Sequence, residues 1–285
     1  MQRKIQKPDL SGMRPITELQ EIKDIVLSIM TAVHNYCEEN KITYYLAYGT
    51  LLGAVRHNGF IPWDDDIDIW MPRPDYERFL REFPAYGKTH NLFLSSYVFS
   101  EHYFPADFTK VCRADTILNE GAIKWKYQQG VFIDVFPLDG MPDKNPKKAL
   151  FAIPVKVVNK MRLASIYDTK SYEFKHVYPY SSWKKFVIKL LNGVDTDRAL
   201  HALEKMKKKE EYGSTSLIYA NECLVIFQKD WFSKRILHPF ENQKFYIPNG
   251  YENILAERYG ADYMTPPPVE LQKPHHIQDV WIRED

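Results

Sequence analysis

The chain is short of cysteine, of long apolar runs and of net charge, and each shortage removes a class of protein. Only three cysteines, Cys37, Cys112 and Cys223, occur in 285 residues. They are odd in number, widely separated and without a C-x-x-C pair, which excludes a disulfide framework and a cysteine zinc site and points to a reducing cytoplasmic setting. No window approaches the roughly 18 apolar residues of a membrane-spanning helix. The basic N-terminus MQRKIQKPDL also lacks the apolar core of a secretory signal. The expected location is cytoplasmic, peripheral at the inner face of the membrane. No internal repeat or low-complexity tract occurs, which removes solenoid and disordered classes.

A net charge of only +1 hides a segregation of sign. Residues 144–209 contain sixteen Lys and Arg against five Asp and Glu, or +11, so the remainder carries −10. That acidic remainder argues against nucleic acid as a partner. The basic stretch, with Lys156, Lys160, Lys184, Lys185 and Lys189 among Tyr180, Trp183 and Phe186, suits an anionic membrane surface or a lipid-linked glycan acceptor carrying pyrophosphate. An ordinary helical subdomain with a solvated basic face is the competing reading.

The periodicity predicts a helix over 17–40, with Leu19, Ile22, Ile25, Val26, Ile29, Val33 and Tyr36 on one face and a capping box from Thr17 to Gln20. ITYYLAY, residues 42–48, reads as a strand, followed by Gly49-Thr50 and a short helix in LLGAVRH. The turn NGFIPW delivers the chain into DDDIDIWM, where a strand would place Asp66 and Asp68 on one face and Ile67 and Ile69 on the other. Two neighbouring carboxylates on one face require a cation. PRPDYERFLREF reads as a helix with proline at its entrance, and NLFLSSYV, FTKVCR and VFIDVF as further strands. Beyond Met141 the pattern is helical, and it returns to a strand at KFYIP and a helix in GYENILAERYG. The expected architecture is α/β (α+β): a mixed sheet flanked by helices, with a core in 1–143, a basic helical subdomain in 144–212 and a C-terminal part, 213–285, completing the catalytic domain.

Strand, Gly-Thr, short helix, Asp-x-Asp and a later isolated Asp134 form the order that phosphoryl or nucleotidyl transfer requires. Carboxylates clamp divalent ions while a helix N-terminus receives phosphate. A calcium loop is excluded, because Ile69 occupies the position where an EF-hand needs glycine and Pro72 and Pro74 intrude. A buried Asp134 between Ile133 and Val135 needs either a metal or a basic partner in the core. Arg56 fits either a donor phosphate or a neighbouring carboxylate, Trp63 either a base or the underside of the acidic turn, and Lys110 either a phosphate or solvent.

YYLAYGTLLGAVRHNGFIPWDDDIDIWMPRPDYERF resembles the LicD family of bacterial phosphocholine and alditol-phosphate transferases, to which fukutin-type ribitol-phosphate transferases are also similar. GVFIDVFPLDGMP resembles that family's second motif and YGADYMTPPP its C-terminal signature. The resemblance implies a nucleotidyltransferase-like fold in which Asp66 and Asp68 bind metal, magnesium or manganese and two ions in all, with Asp134 as third ligand or proton acceptor. It further implies a CDP-alcohol donor held by Gly49, Thr50, Arg56, Trp63, Asp64 and Asp65, with Asp139 at the pocket edge in a PLDG turn. The products would be CMP and a phosphorylated glycan. The rivals are nucleotidyl transfer from a nucleoside triphosphate and a nucleotide-binding protein without turnover.

Overall fold

The computed structural model describes residues 8–119, 121–125, 129–143, 145–177, 180–220, 225–272 and 279–284; Cys223 and Lys144 lie outside them. Cys37 and Cys112 are buried thiols. In chain order the elements are β1 (Met13–Ile16), α1 (Leu19–Asn40), β2 (Tyr45–Leu46), α2 (Tyr48–His57), β3 (Asp68–Pro72), α3 (Arg73–Thr89), β4 (Leu92–Ser95), β5 (Thr109–Arg113), β6 (Thr116–Leu118) and β7 (Phe132–Met141). Helices α4 (Asn145–Ile166), α5 (Ser182–Leu191) and α6 (Thr196–Lys207) follow. The chain then forms β8 (Leu217–Ala220), β9 (Val225–Gln228), β10 (Arg235–Phe240), β11 (Gln243–Pro248), α7 (Tyr251–Tyr259) and β12 (Val280–Arg283).

The α/β expectation holds. The main sheet runs β2-β3-β7-β5-β4, and β8 and β9 extend it along the second half of β7. β7 is the longest strand because it serves two sets of partners. Its first half lies parallel to β3 and antiparallel to β5, and its end pairs antiparallel with β8. α1 and α3 cover one face through an aromatic cluster in which Tyr36 meets Phe79, Phe83 and Tyr86 at centroid distances of 5.0–6.0 Å. The N- and C-terminal strands β1 and β12 join β6 in a separate small sheet.

Several local expectations are corrected. The predicted capping box does not form: Glu18 is the N-cap of α1 without a side-chain bond, and the Gln20 side chain donates to Asp24 instead. The reason is that β1 holds the chain extended through Ile16 by pairing with β12. The strand expected over 42–48 shrinks to two residues, and α2 already begins at Tyr48, taking Gly49 and Thr50 into its first turn. VFIDVF continues in extended form through Pro137 to Met141, so Asp139 occupies a strand rather than a turn.

Helices α4 and α6 grip the main domain through the loop preceding β5. Arg162 donates to the Pro105 carbonyl at 2.7 Å, Tyr103 donates to Asp197 at 2.5 Å, and Lys207 forms a buried ion pair with Asp107. Asp139 has a matching structural task. Arg73, at the start of α3, donates to both of its oxygens at 2.6 and 2.7 Å and to Glu204 of α6 at 3.2 Å. Burial opposes the Arg73 charge, but Asp139 and Glu204 outweigh it and raise its pKa. Removing one partner leaves the other charged and buried, at a cost of roughly 3–5 kcal/mol. Asp139→Ala is therefore expected to lower unfolding free energy by about that amount in urea titration; an unchanged midpoint would contradict this role.

Candidate active site

Register places the chemistry. Asp68 of β3 lies opposite Asp134 of β7, Asp134 lies opposite Lys110 of β5, and Lys110 opposite Ser95 of β4. Directly opposed residues on adjacent strands, ~4.8 Å apart, point to the same face. Asp68, Asp134 and Lys110 thus form one row across three strands. Two positions along each strand, Trp70, Phe136 and Phe108 form a second, aromatic row on that face, with Phe108 and Phe136 centroids 4.6 Å apart. Tyr48 leans on it, 4.9 Å from Trp70 and 5.4 Å from Phe136. The acidic row therefore has an apolar wall along one side.

Asp66 is not on the strand. β3 begins at Asp68, and Asp64, Asp65 and Asp66 approach it in a loop without regular structure. The alternation expected of a strand survives in burial, since Ile67 and Ile69 are fully buried while Asp66 and Asp68 are partly accessible. Crowding follows. Burial raises the Asp68 pKa well above the usual carboxylate range, and the charges of Asp66, Asp134 and Asp64 push it further, against the opposing pull of Lys110.

The backbone of Asp68 is fixed at both ends, by Thr50 in the first turn of α2 and by Ala47, the helix's N-cap. Its N–H donates to Thr50 Oγ1 at 2.8 Å, and its carbonyl accepts from Ala47 N–H at 2.9 Å. Thr50 is buried, so its oxygen serves the protein before any ligand. Gly49 has a steric reason: a Cβ there would come within 2.9 Å of Asp64 Oδ2. Its missing side chain is the space the Asp64 carboxylate occupies. α2 has no side-chain N-cap, which leaves its positive end available to an anion.

Lys110 is not a solvated strand lysine. It is 3% exposed, donates to Asp134 at 3.0 Å and lies 3.2 Å from the Phe132 ring centroid, with Phe104 also beneath it. Asp134 thus has the basic partner that a buried carboxylate demands. Arg56 donates to the Tyr263 carbonyl at 2.9 Å, tying the end of α2 to the YGADYM segment. Trp63 packs, partly buried, against the core beneath the loop. Asp139 does not belong to this site: it lies five residues from Asp134 along an extended strand, on the opposite face, paired with Arg73. The expected pocket-edge role is corrected accordingly.

Three further residues stand at the site. Lys23, on α1, is buried and donates to the Ile61 and Pro62 carbonyls at 3.3 and 2.9 Å, holding up the loop that carries the aspartates. Burial lowers its pKa, offset in part by Glu241, Asp64 and Asp65. Its only sequence signal is a lysine inside an otherwise apolar helical stripe. Arg258 and Tyr259 close α7: the Arg258 guanidinium lies 5.8 Å from the Tyr48 ring centroid, and Tyr259 feels the charges of Asp68 and Asp64. Burial is the main cause that pushes the Tyr259 hydroxyl up to about 12. Tyr259 opens the YGADYM motif, and Arg258 immediately precedes it.

Among the described residues, no three acidic, histidine or cysteine side chains stand in a closed metal ligand set. The donor chemistry nonetheless suits a hard divalent cation: only carboxylate oxygens, crowded enough that Asp68 is driven towards its neutral form. A cation between Asp66 and Asp68 would remove that penalty, with Asp134 already steadied by Lys110.

The row of carboxylates crosses the middle of a mixed sheet beside a helix N-terminus. Residues 41–164 match the nucleotidyltransferase domain of the LicD/FKTN/FKRP family. The chain is 31% identical over 273 residues, 95% of its length and all of the relative's, to the lipopolysaccharide cholinephosphotransferase LicD of Haemophilus influenzae. It is also 36% identical over 88 residues, 30% of each chain, to an uncharacterized protein of Rickettsia prowazekii. The chain belongs to the LicD family.

Thr50→Val removes the acceptor for the Asp68 N–H and is expected to cost about 1–3 kcal/mol in chemical denaturation. Thr50→Ser should restore the loss. Equal stability of the valine and serine variants would show that the bond does not hold β3.

Proposed function

We propose that the chain transfers a phosphorylated alcohol, phosphocholine or an alditol phosphate, from a CDP-activated donor to a hydroxyl of a cell-surface glycan precursor, releasing CMP. The observation that carries this reading is the row Asp68, Asp134 and Lys110, met by Asp66 and Asp64 beside the N-terminus of α2. It stands in a chain that aligns over 95% of its length with a lipopolysaccharide cholinephosphotransferase. The acceptor would belong to lipopolysaccharide, teichoic acid or capsule.

Magnesium or manganese, two ions held by Asp66 and Asp68 with Asp134, would neutralise the diphosphate and the charge that develops on leaving CMP. The remaining work falls to the protein. The donor diphosphate lies at the first turn of α2, where the helix dipole admits it, with Arg258 as a cation at the rim. The aromatic wall of Tyr48, Trp70 and Phe136 keeps water from one side of the carboxylates. The acceptor oxygen attacks the alcohol-bearing phosphorus in line; its bond forms as the bond to the CMP oxygen breaks. The hydroxyl proton passes to a carboxylate of the row, Asp134 being held in place for this by Lys110. Lys110 acts through Asp134 and is a positioning residue.

Incubation with CDP-choline, CDP-ribitol and CDP-glycerol in the presence of magnesium tests the reading directly by CMP release. Asp66→Asn and Asp68→Asn are each expected to lower turnover at least about a hundredfold, and chelation of divalent ions to abolish it until metal is restored. Pyrophosphate release from a nucleoside triphosphate would support nucleotidyl transfer instead. Donor binding that metal does not enhance, with no product, would support a non-catalytic nucleotide-binding protein. Arg258→Gln should raise KM for the donor more than it lowers kcat; an unchanged KM would remove it from the donor site.

A further inference from the structure

α5 is a helix with almost nothing inside the protein. Of its ten residues only Ile188 is buried, while Trp183, Phe186 and Leu190 are 73%, 57% and 72% exposed. Their spacing of three and four residues puts them on one stripe. The Trp183 and Phe186 rings stack at 5.7 Å, making a continuous apolar surface. Ser181 caps the helix by accepting from the Lys184 N–H. α4 repeats the pattern with Leu150, Ile153 and Val157 at 75%, 62% and 51% exposure. Folded monomers rarely leave such apolar stripes to water.

Charge identifies what covers them. Neither helix contains an aspartate or glutamate, and Lys156, Lys160, Lys184 and Lys189 stand exposed beside the stripes. A second copy of the chain would bring lysine against lysine in a two-fold contact. No described helix is long and apolar enough to cross a membrane. We propose that α5, with the exposed face of α4, docks the protein flat on an anionic bilayer, with Trp183, Phe186 and Leu190 entering the headgroup region and the lysines meeting acidic lipid. Aromatic and leucine side chains at headgroup depth with lysines snorkelling to phosphate form an interfacial amphipathic contact. The surface is distinct from the acidic row, so it is tested without reference to the transferase reaction.

Flotation of the full-length protein with phosphatidylcholine vesicles containing about 30 mol% phosphatidylglycerol, at about 0.15 M salt, should carry the protein upward. Pure phosphatidylcholine vesicles should not. The variant Trp183→Ser/Phe186→Ser/Leu190→Ser is expected to bind at least ~10-fold more weakly at an unchanged melting temperature, and Lys184→Gln/Lys189→Gln to weaken binding to the anionic vesicles alone. The proposal is overturned if the native protein stays with the soluble fraction, or if the triple variant floats equally well. It is likewise overturned if sedimentation equilibrium shows a dimer that the triple variant loses while neither protein floats, since the stripe would then be a self-association surface.

Discussion

The register of β3, β7 and β5 is the constraint on which the site depends. It sets Asp68, Asp134 and Lys110 in one row and thereby forces like charges together on a face that is closed on one side by aromatic rings. A shift of one residue in β3 would turn Asp68 into the helix layer and Ile69 out to the site. The structure prevents that slip with two bonds between α2 and Asp68 and with the fully buried Ile67 and Ile69 on either side. What stabilises the fold locally is therefore what aims the carboxylate.

The site is assembled from parts distant in the chain, and each part is tied down by a bond of its own. Lys23 supports the aspartate loop from α1, and Glu241, in the turn between β10 and β11, accepts from the Phe60 N–H at 3.0 Å on its other flank. Arg56 connects α2 to the segment after α7, which keeps Tyr259 within reach of the charges of Asp68 and Asp64 and Arg258 beside Tyr48. The buried Arg73–Asp139–Glu204 cluster does the same for the helical segment, joining α3, β7 and α6. Its strength is electrostatic and its consequence mechanical: α4 and α6 are seated firmly while α5 remains outside.

That arrangement separates two physical regimes in one chain. The acidic row sits against Trp70 and Phe136, where low polarity magnifies charge and a metal or phosphate has most to gain. The lysine-bearing helices lie at the surface, where charge is screened and apolar side chains are exposed. The segregation of sign along the sequence thus corresponds to a segregation in space, between a row of carboxylates against the sheet and lysine-bearing helices at the surface.

Much of the candidate site was legible in the sequence as a cluster of residues, because Gly49-Thr50, the run Asp64 to Asp68 and Asp134 in an apolar strand are local patterns. The helical stripe of α1 and the β-branched strands were legible for the same reason. Tertiary structure decided the rest. Thr50 became a brace for Asp68, Asp139 a partner of Arg73 on the opposite face, and Lys110 a buried counter-charge to Asp134, since each assignment depends on a residue from another strand or helix. Lys23 and Arg258 could not be read at all, because a single charged side chain has no spacing to betray it, and Tyr259 stood in the YGADYM motif without a role. The sequence by itself determined which carboxylates the protein would present; only the pairing register and the packing of α1, α2 and α7 around them decided which stand together, because proximity between strands is a property of the sheet and not of the chain.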